Sequence, residues 1–221
     1  MPEAVPELNF AVEDVRPLQR SATPHLMFRL RVAQTAKKSA PAPIQSVMLQ
    51  CQIRIEPALR RYSAAEQSGL YDLFGEPQRW GQTLGSMLWT NCAITIPAFT
   101  GGTTVDLPVA CTYDFNLAAT KYFHALRDGE IPLELLFSGT IFYLSGAMLR
   151  VAPIAWDRQA GFRLPVRVWH AMMDECYSNF AWLCLRKDVF ERLYRYKSRR
   201  ALATWEQALD SLLANSEERS D

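Results

Sequence analysis

Five cysteines, three histidines and one dense basic run are the parts of this 221-residue chain whose side chains could do chemistry. Thiolates select soft metals, so cysteines turned into one core could in principle hold one. Cys51, Cys92, Cys111, Cys176 and Cys184 contain no C-x-x-C pair, and no spacing among them resembles a zinc ligand set. Cys51, Cys92 and Cys111 fall on the apolar phase of strand-like runs. Burial there raises a thiol's pKa and keeps it protonated, which makes each a small hydrophobe. Whether these three meet in space is left open. The expectation is structural cysteines, no bound metal and no cofactor.

His25, His124 and His170 are too few and too scattered to suggest a catalytic set. A serine nucleophile on a strand-to-helix elbow needs G-x-S-x-G. Ser138 has Gly139 after it, but Leu136 stands where the first glycine should be, and the segment reads as a strand. Asp72 and Glu76 have the i,i+4 spacing of a helical metal pair, yet a solvated helix end accounts for them equally well. Asp106 and Asp114 point away from the apolar phase. A hydrolase or metal enzyme is therefore the reading that these residues support least.

Two segments look suited to binding. Arg186 to Arg200 holds seven basic residues against Asp188 and Glu191, a local +5 in a chain of net +1. On a helix Arg192, Arg195 and Arg199 line one face and Phe190, Leu193 and Tyr194 another, with Tyr194 and Tyr196 interleaved in sequence. Such a stripe could meet phosphates, but no nucleic-acid-binding fold signature accompanies it, so a protein partner is preferred. The second segment, Tyr71 to Trp89, is a long aromatic connection with Arg79 within it. Long connections are often functional, and Trp, Tyr and Arg are common interface anchors. Arg79, Trp89, Arg192, Arg195 and Arg199 are the partner-binding candidates. Tyr71, Phe74, Trp80 and His124 are the candidates for lining a small apolar ligand pocket. Trp80, between Pro77 and Gly81 on a short turn that can close over a sheet edge, is expected to be a buried lid anchor, and strand phase predicts Trp89 as the more exposed residue.

The elements that would carry these side chains follow from pattern. The chain is 49% hydrophobic, 21% charged and 11% aromatic, which excludes a disordered chain. Its near-neutral charge gives no global attraction to nucleic acid or anionic membrane. The N-terminus lacks a signal-peptide pattern, and the apolar stretch Ile131–Leu149 is too interrupted to span a membrane. No membrane association and a cytoplasmic location are expected. Period-two alternation marks strands at Leu8–Leu18, around Leu26–Val32, Val47–Ile55, Leu88–Ile96 and Val105–Phe115; Ile131–Leu144, apolar on both faces, reads as a central strand bent at Gly139, and Met148–Ile154 as the strand after it. Thr100-Gly101-Gly102-Thr103 reads as a hairpin turn, and Lys37–Pro43 as a solvated loop. Ser63-Ala-Ala-Glu66 and Thr204-Trp-Glu-Gln207 are capping boxes, and Asn116 can cap a helix bearing Ala119, Tyr122, Phe123 and Leu126. From Pro165 the period changes to 3.6. About seven strands with these helices give an α+β chain: an immunoglobulin-like antiparallel sandwich with inserted helices and a helical C-terminal portion. The expected divisions are residues 1–160 for the sandwich, 161–215 for helices packed on it, and 216–221 for a frayed tail.

Several segments resemble the bacterial family of domain of unknown function 6084. They are Leu70-Tyr-Asp-Leu-Phe-Gly-Glu-Pro77 with Arg79-Trp80-Gly81, Cys111-Thr-Tyr-Asp-Phe115, Leu136-Phe-Ser-Gly-Thr-Ile-Phe-Tyr143, and Tyr196-Lys197 with Ala201 and Thr204-Trp205. The resemblance covers nearly the whole chain. It brings no known activity and no catalytic residues. What it implies is an accessory role in nickel–iron hydrogenase maturation or assembly, with a hydrogenase component as partner. The leading expectation is a non-enzymatic interaction protein, and the alternative is a binding protein for a small apolar ligand.

Overall fold

Alternation in the first third of the chain produces three strands: β1 (Leu8–Pro17), β2 (His25–Gln34) and β3 (Ile44–Ile55). In β2 the side chains of Leu26, Phe28, Leu30 and Val32 are buried, and in β3 those of Val47, Leu49, Cys51, Ile53 and Ile55. Both sets match the apolar phase. The structure, a computed structural model, describes residues 5–35, 41–111, 117–177 and 185–217. The solvated turn at Lys37–Ala40, the strand continuation through Tyr113 and Phe115, Asp114, the Asn116 cap, Cys184 and the last residues of the tail lie outside them.

Five more strands follow: β4 (Met87–Ile96), β5 (Gly102–Ala110), β6 (Glu130–Ser145), β7 (Met148–Pro153) and β8 (Gln159–Pro165). All pairs are antiparallel. One sheet has the order β1-β2-β5, and the other β4-β3-β6-β7 with β8 also on β6. Because β3 occupies one edge of β6, β7 and β8 share the other. β7 pairs along Thr140–Ser145 and β8 along Glu130–Leu136. The two sheets meet through aromatic side chains. Phe10 stacks on Phe137 with centroids 4.4 Å apart, and Phe28 stands edge-on to Phe162 and Trp89. Gly139 lets β6 lie close to β3: with φ +137°, a Cβ there would come 2.0 Å from the Met48 carbonyl oxygen.

The helices are α1 (Ala64–Gly69), α2 (Tyr71–Phe74), α3 (Trp80–Thr83), α4 (Leu117–Ala125), α5 (Val166–Cys176), α6 (Lys187–Arg199) and α7 (Trp205–Glu217). Among the described residues the chain is therefore α+β, with two antiparallel sheets, eight strands and seven α-helices. Ser63 caps α1 reciprocally with Glu66, as the sequence predicts. Gly75, at φ +71°, ends α2, so Glu76 leaves the helix and does not pair with Asp72. Asp72 instead forms an ion pair with Lys121 of α4.

Three expectations are corrected by the strand pairing. The Thr100–Thr103 turn is not a hairpin, since β4 pairs with β3 and β5 with β2. It carries the chain from one sheet to the other; glycine supplies the reversal, but the edge available to β5 is on β2. Trp89 is buried rather than exposed, at 6%. The β3–β4 register shifts between Ile53 and Arg54, whose partners are Thr90 and Leu88. This bulge gives Trp89 no opposite residue and reverses the inward phase of β4, so Trp89 and the Cys92, Ile94 and Ile96 set all turn inward. The third correction is β8, a strand absent from the expected set. Ala160, Phe162 and Leu164 supply its inward phase.

The chain forms two compact units, 1–179 and 180–221. Residue 160 lies within β8, and α5 belongs to the first unit, where it packs on β1, β2, β8 and α4. Val166, Trp169, Met172 and Met173 form its buried stripe. The second unit is the hairpin of α6 and α7.

Candidate functional site

The second unit is built by two chain-terminating devices. At the end of α6, Ala201 adopts the left-handed conformation at φ 53°. The Leu202 amide then donates to the Lys197 carbonyl at 3.1 Å, closing the helix with a Schellman-type turn. At the start of α7 the Gln207 amide donates to Thr204 Oγ1 at 3.2 Å, and Gln207 Oε1 accepts from the Ala203 amide at 2.9 Å. The two helices are joined by Tyr196, whose hydroxyl lies 2.8 Å from that of Ser211, and by Lys197, whose ammonium stands 5.5 Å over the Trp205 ring.

The aromatic residues of this hairpin are only partly covered. Phe190 and Trp205 have centroids 5.3 Å apart, with Tyr194 6.2 Å from Trp205. Even so, Phe190 is 45% and Tyr194 55% exposed. A shallow groove of about 380 Å³ runs beside them, lined by Phe190, Glu191, Tyr194 and Arg195. Arg192, Arg195 and Arg199 are all exposed on α6. The Arg195 Nε donates to the Glu191 carbonyl at 3.3 Å. Of the basic run, among the described residues only Arg186 pairs with a carboxylate, that of Asp188 at 3.2 Å. Arg195 thus stands next to uncovered ring faces, while Arg192 and Arg199 extend the positive charge around the helix, an arrangement suited to an acidic segment with apolar anchors.

The aromatic residues of the first unit form a different structure. Trp80 is buried, as its place on the turn between Pro77 and Gly81 predicts. Its indole N–H donates to the Gly75 carbonyl at 3.0 Å, and its ring stands edge-on to Tyr62 and Phe74. Phe74 meets Tyr122, Tyr122 meets Phe123, and Phe123 joins Trp89 and Trp169. Of the ligand-pocket candidates, Phe74 and Trp80 are therefore brought together inside the core. Tyr71 is exposed. His124 lies edge-on to Trp169 at 4.9 Å, where burial and the neighbouring His170 push its pKa down. Arg79 is exposed, whereas Trp89 is buried in the core.

Beneath this cluster sits a buried ion pair that sequence reasoning missed. Arg60 and Glu66 have side chains only 8% and 6% exposed. The guanidinium of Arg60 also donates to the carbonyls of Glu130 at 3.0 Å and Asp128 at 2.7 Å. Burial alone would raise the Glu66 carboxyl. The Arg127 and Ser63 amides, Arg60 and the Ser63 hydroxyl outweigh it and hold the pKa below the usual value. The pair ties the α1 segment to the loop after α4. Only the Ser63 capping pattern hinted at Glu66, and nothing in the spacing pointed to Arg60.

Cys51 and Cys92 face each other across β3 and β4. The hydrogen bond shared with Cys92, together with burial, pushes the Cys51 thiol far up, while the same contact lowers Cys92. Cys111 follows β5 of the other sheet, and burial raises it to about 12. Among the described residues no three His, Cys, Asp or Glu side chains gather as a metal site would require. Nor is any helix among them long and apolar enough to cross a membrane.

A family of unknown function, DUF6084, matches residues 5–221. The chain belongs to this family. No curated protein matches this DUF6084 member. Among solved structures, the solution structure of a late embryogenesis abundant (LEA) protein is similar over 73% of each chain, at 17% identity and a TM-score of 0.30.

Proposed function

We propose that this DUF6084 protein is a non-enzymatic interaction protein. In this reading, the chain combines an immunoglobulin-like sandwich with a helical hairpin whose exposed arginines and part-exposed rings engage an acidic segment of a protein partner. The family resemblance suggests that the partner is a nickel–iron hydrogenase component or maturation factor, and the protein's role an accessory one in maturation or assembly. One observation supports the reading above the others: Phe190 and Tyr194 stay half exposed with Arg195 beside them in one groove, while Arg192 and Arg199 are exposed elsewhere on the same helix. Apolar rings left in water are unfavourable, and Tyr and Arg are enriched among residues that dominate interfaces.

The test is capture from an extract of the native host by the full chain and by the variant Arg192→Glu/Arg195→Glu/Arg199→Glu, followed by mass spectrometry. The expected result is one stoichiometric protein with an acidic surface segment, retained at low salt, weakened by salt and lost with the triple variant. Retention of the same protein by both chains at every salt concentration contradicts the reading. Tight binding of generic RNA in its place moves the assignment to nucleic acid.

A further inference from the structure

The outer face of the five-stranded sheet carries a groove that the hairpin reading does not use. Its volume is about 640 Å³, within the roughly 300–1,000 Å³ typical of small-molecule sites. Gln50 and Gln52 come from β3, Asn91 from β4, and Leu136 and Ser138 from β6. The register puts them side by side: Gln50 is opposite Ser138, and Gln52 is opposite both Asn91 and Leu136. The Gln52 amide donates to Asn91 Oδ1 at 3.3 Å, which orients two of the three amides. Among the described residues no Asp, Glu, Lys or Arg lines the groove.

Trp156 completes it, and its position is fixed. It lies on the β7–β8 connection and is 94% exposed. That connection is fastened to β6 on both sides of Ser138: the Phe137 amide donates to the Arg158 carbonyl, and the Ile154 amide to the Gly139 carbonyl, both at 2.9 Å. Arg158 then reaches β1, donating to Asn9 Oδ1 at 2.8 Å. A large apolar ring is thus held in water by a braced loop beside a row of neutral amides. Exposure of this kind is a cost to the folded state unless something covers the ring.

The chemistry of the lining defines the ligand. Each amide and the serine hydroxyl both donate and accept hydrogen bonds. With no charge to match, a phosphate, carboxylate or ammonium would be desolvated without compensation. The fitting ligand is uncharged, dense in groups that donate and accept, and has a flat apolar face for the indole. A pyranose ring meets all three conditions, with hydroxyls at its edge and C–H bonds on its face. We propose that this groove binds a neutral carbohydrate, stacked on Trp156 and hydrogen-bonded by Gln50, Gln52, Asn91 and Ser138. The site stands on strands of a rigid sheet, which favours preorganised recognition.

The test applies the full chain to an array of neutral oligosaccharides of α- and β-linked glucose, mannose, galactose and N-acetylglucosamine, with acidic glycans alongside. The strongest neutral binder is then titrated in solution, read by indole fluorescence and by calorimetry. The expected result is saturable binding to at least one neutral oligosaccharide. Affinity should fall about tenfold or more in Trp156→Ala, since a stacked ring contributes roughly a decade in affinity. Gln52→Ala and Asn91→Ala should each weaken binding several-fold, and Trp156→Phe should retain part of it. The Arg192/Arg195/Arg199 charge reversals should leave sugar binding unchanged, so failure of the hairpin reading and failure of this site are distinguishable. No binding across the neutral set, binding confined to acidic glycans, or an affinity indifferent to Trp156→Ala each overturns the proposal. So does preferential binding of an uncharged peptide or a nucleoside used as a competitor.

Discussion

The aromatic residues of the first unit and those of the second are the same kinds of side chain in opposite circumstances. Trp80, Phe74, Tyr122, Phe123, Trp89 and Trp169 form a continuous set of ring contacts in the core. Phe190 and Tyr194 also touch Trp205 within the α6–α7 hairpin, but both stay half exposed. A ring buried on every side contributes mainly to folding. A ring with one face uncovered keeps that driving force in reserve for association. The sequence shows both sets as aromatic clusters; only their burial separates core from surface.

The largest effects should come from the first unit. Trp80→Ala and Trp89→Ala should each lose about 3–5 kcal/mol of stability in urea titrations, the usual cost of truncating a buried tryptophan. Near-equal losses are expected because both are buried, at 7% and 6%. A mild Trp89→Ala would break the comparison, because it would return that residue to the surface. Neither variant should alter the hairpin's aromatic contacts.

The buried Arg60–Glu66 pair comes next. Glu66→Ala leaves an uncompensated guanidinium, and removing one partner of such a pair costs about 3–5 kcal/mol, with the lower end expected because Arg60 keeps two carbonyl acceptors. The carboxyl's folded pKa lies below its ordinary value of 4.5. Its contribution is therefore complete above that value and lost as the pH falls through the depressed folded pKa. Wild type should lose stability over that acid range more steeply than Glu66→Gln. Parallel pH profiles of the two proteins would show that Glu66 contributes nothing through its charge.

Smaller changes belong to the hairpin. Ala201→Gly should stabilise the second unit by about 1 kcal/mol, since left-handed backbone at an L residue costs roughly 1–2 kcal/mol, relieved in part by the greater chain entropy of glycine. The readout is helical circular dichroism on heating, compared with the unchanged core transition. A loss of helicity would mean that Ala201 is held in that conformation without strain. Tyr194→Ser should change stability by no more than about 0.5 kcal/mol, as exposed substitutions usually do. A loss comparable to Trp80→Ala would remove the distinction between the two clusters.

What the sequence made legible followed from regular periods. The inward sets of β2 and β3, the central position of β6, both capping boxes and the stripe of α5 were readable because repeat and burial coincide there. Trp89 was misread because a single extra residue in β4 reverses the phase, and nothing in Met87–Thr90 marks a bulge. The Thr100–Thr103 turn was read correctly as a reversal and wrongly as a hairpin, because local residues set the bend while the free edge of β2 chooses the partner. Gln50 and Gln52 were rightly placed outward, but their neighbours Asn91, Ser138 and Trp156 come from three other segments. Arg192, Arg195 and Arg199 were readable as exposed because charge density shows in composition. What they face depends on a partner's surface and is written in no pattern of this chain.

The account turns on whether α6 is a binding face, and the most direct measurement is the salt dependence of partner capture by wild type and by Arg192→Glu/Arg195→Glu/Arg199→Glu. Charge reversal at three exposed positions should leave folding nearly intact, at about 0.5 kcal/mol or less per site. Wild-type capture should weaken steadily as salt rises and screening shortens the reach of the arginines. The variant should lose most at low salt, and the two curves should converge at high salt. Two superimposable curves, from a variant that melts like wild type, would contradict the assignment of the basic hairpin as the partner-binding face.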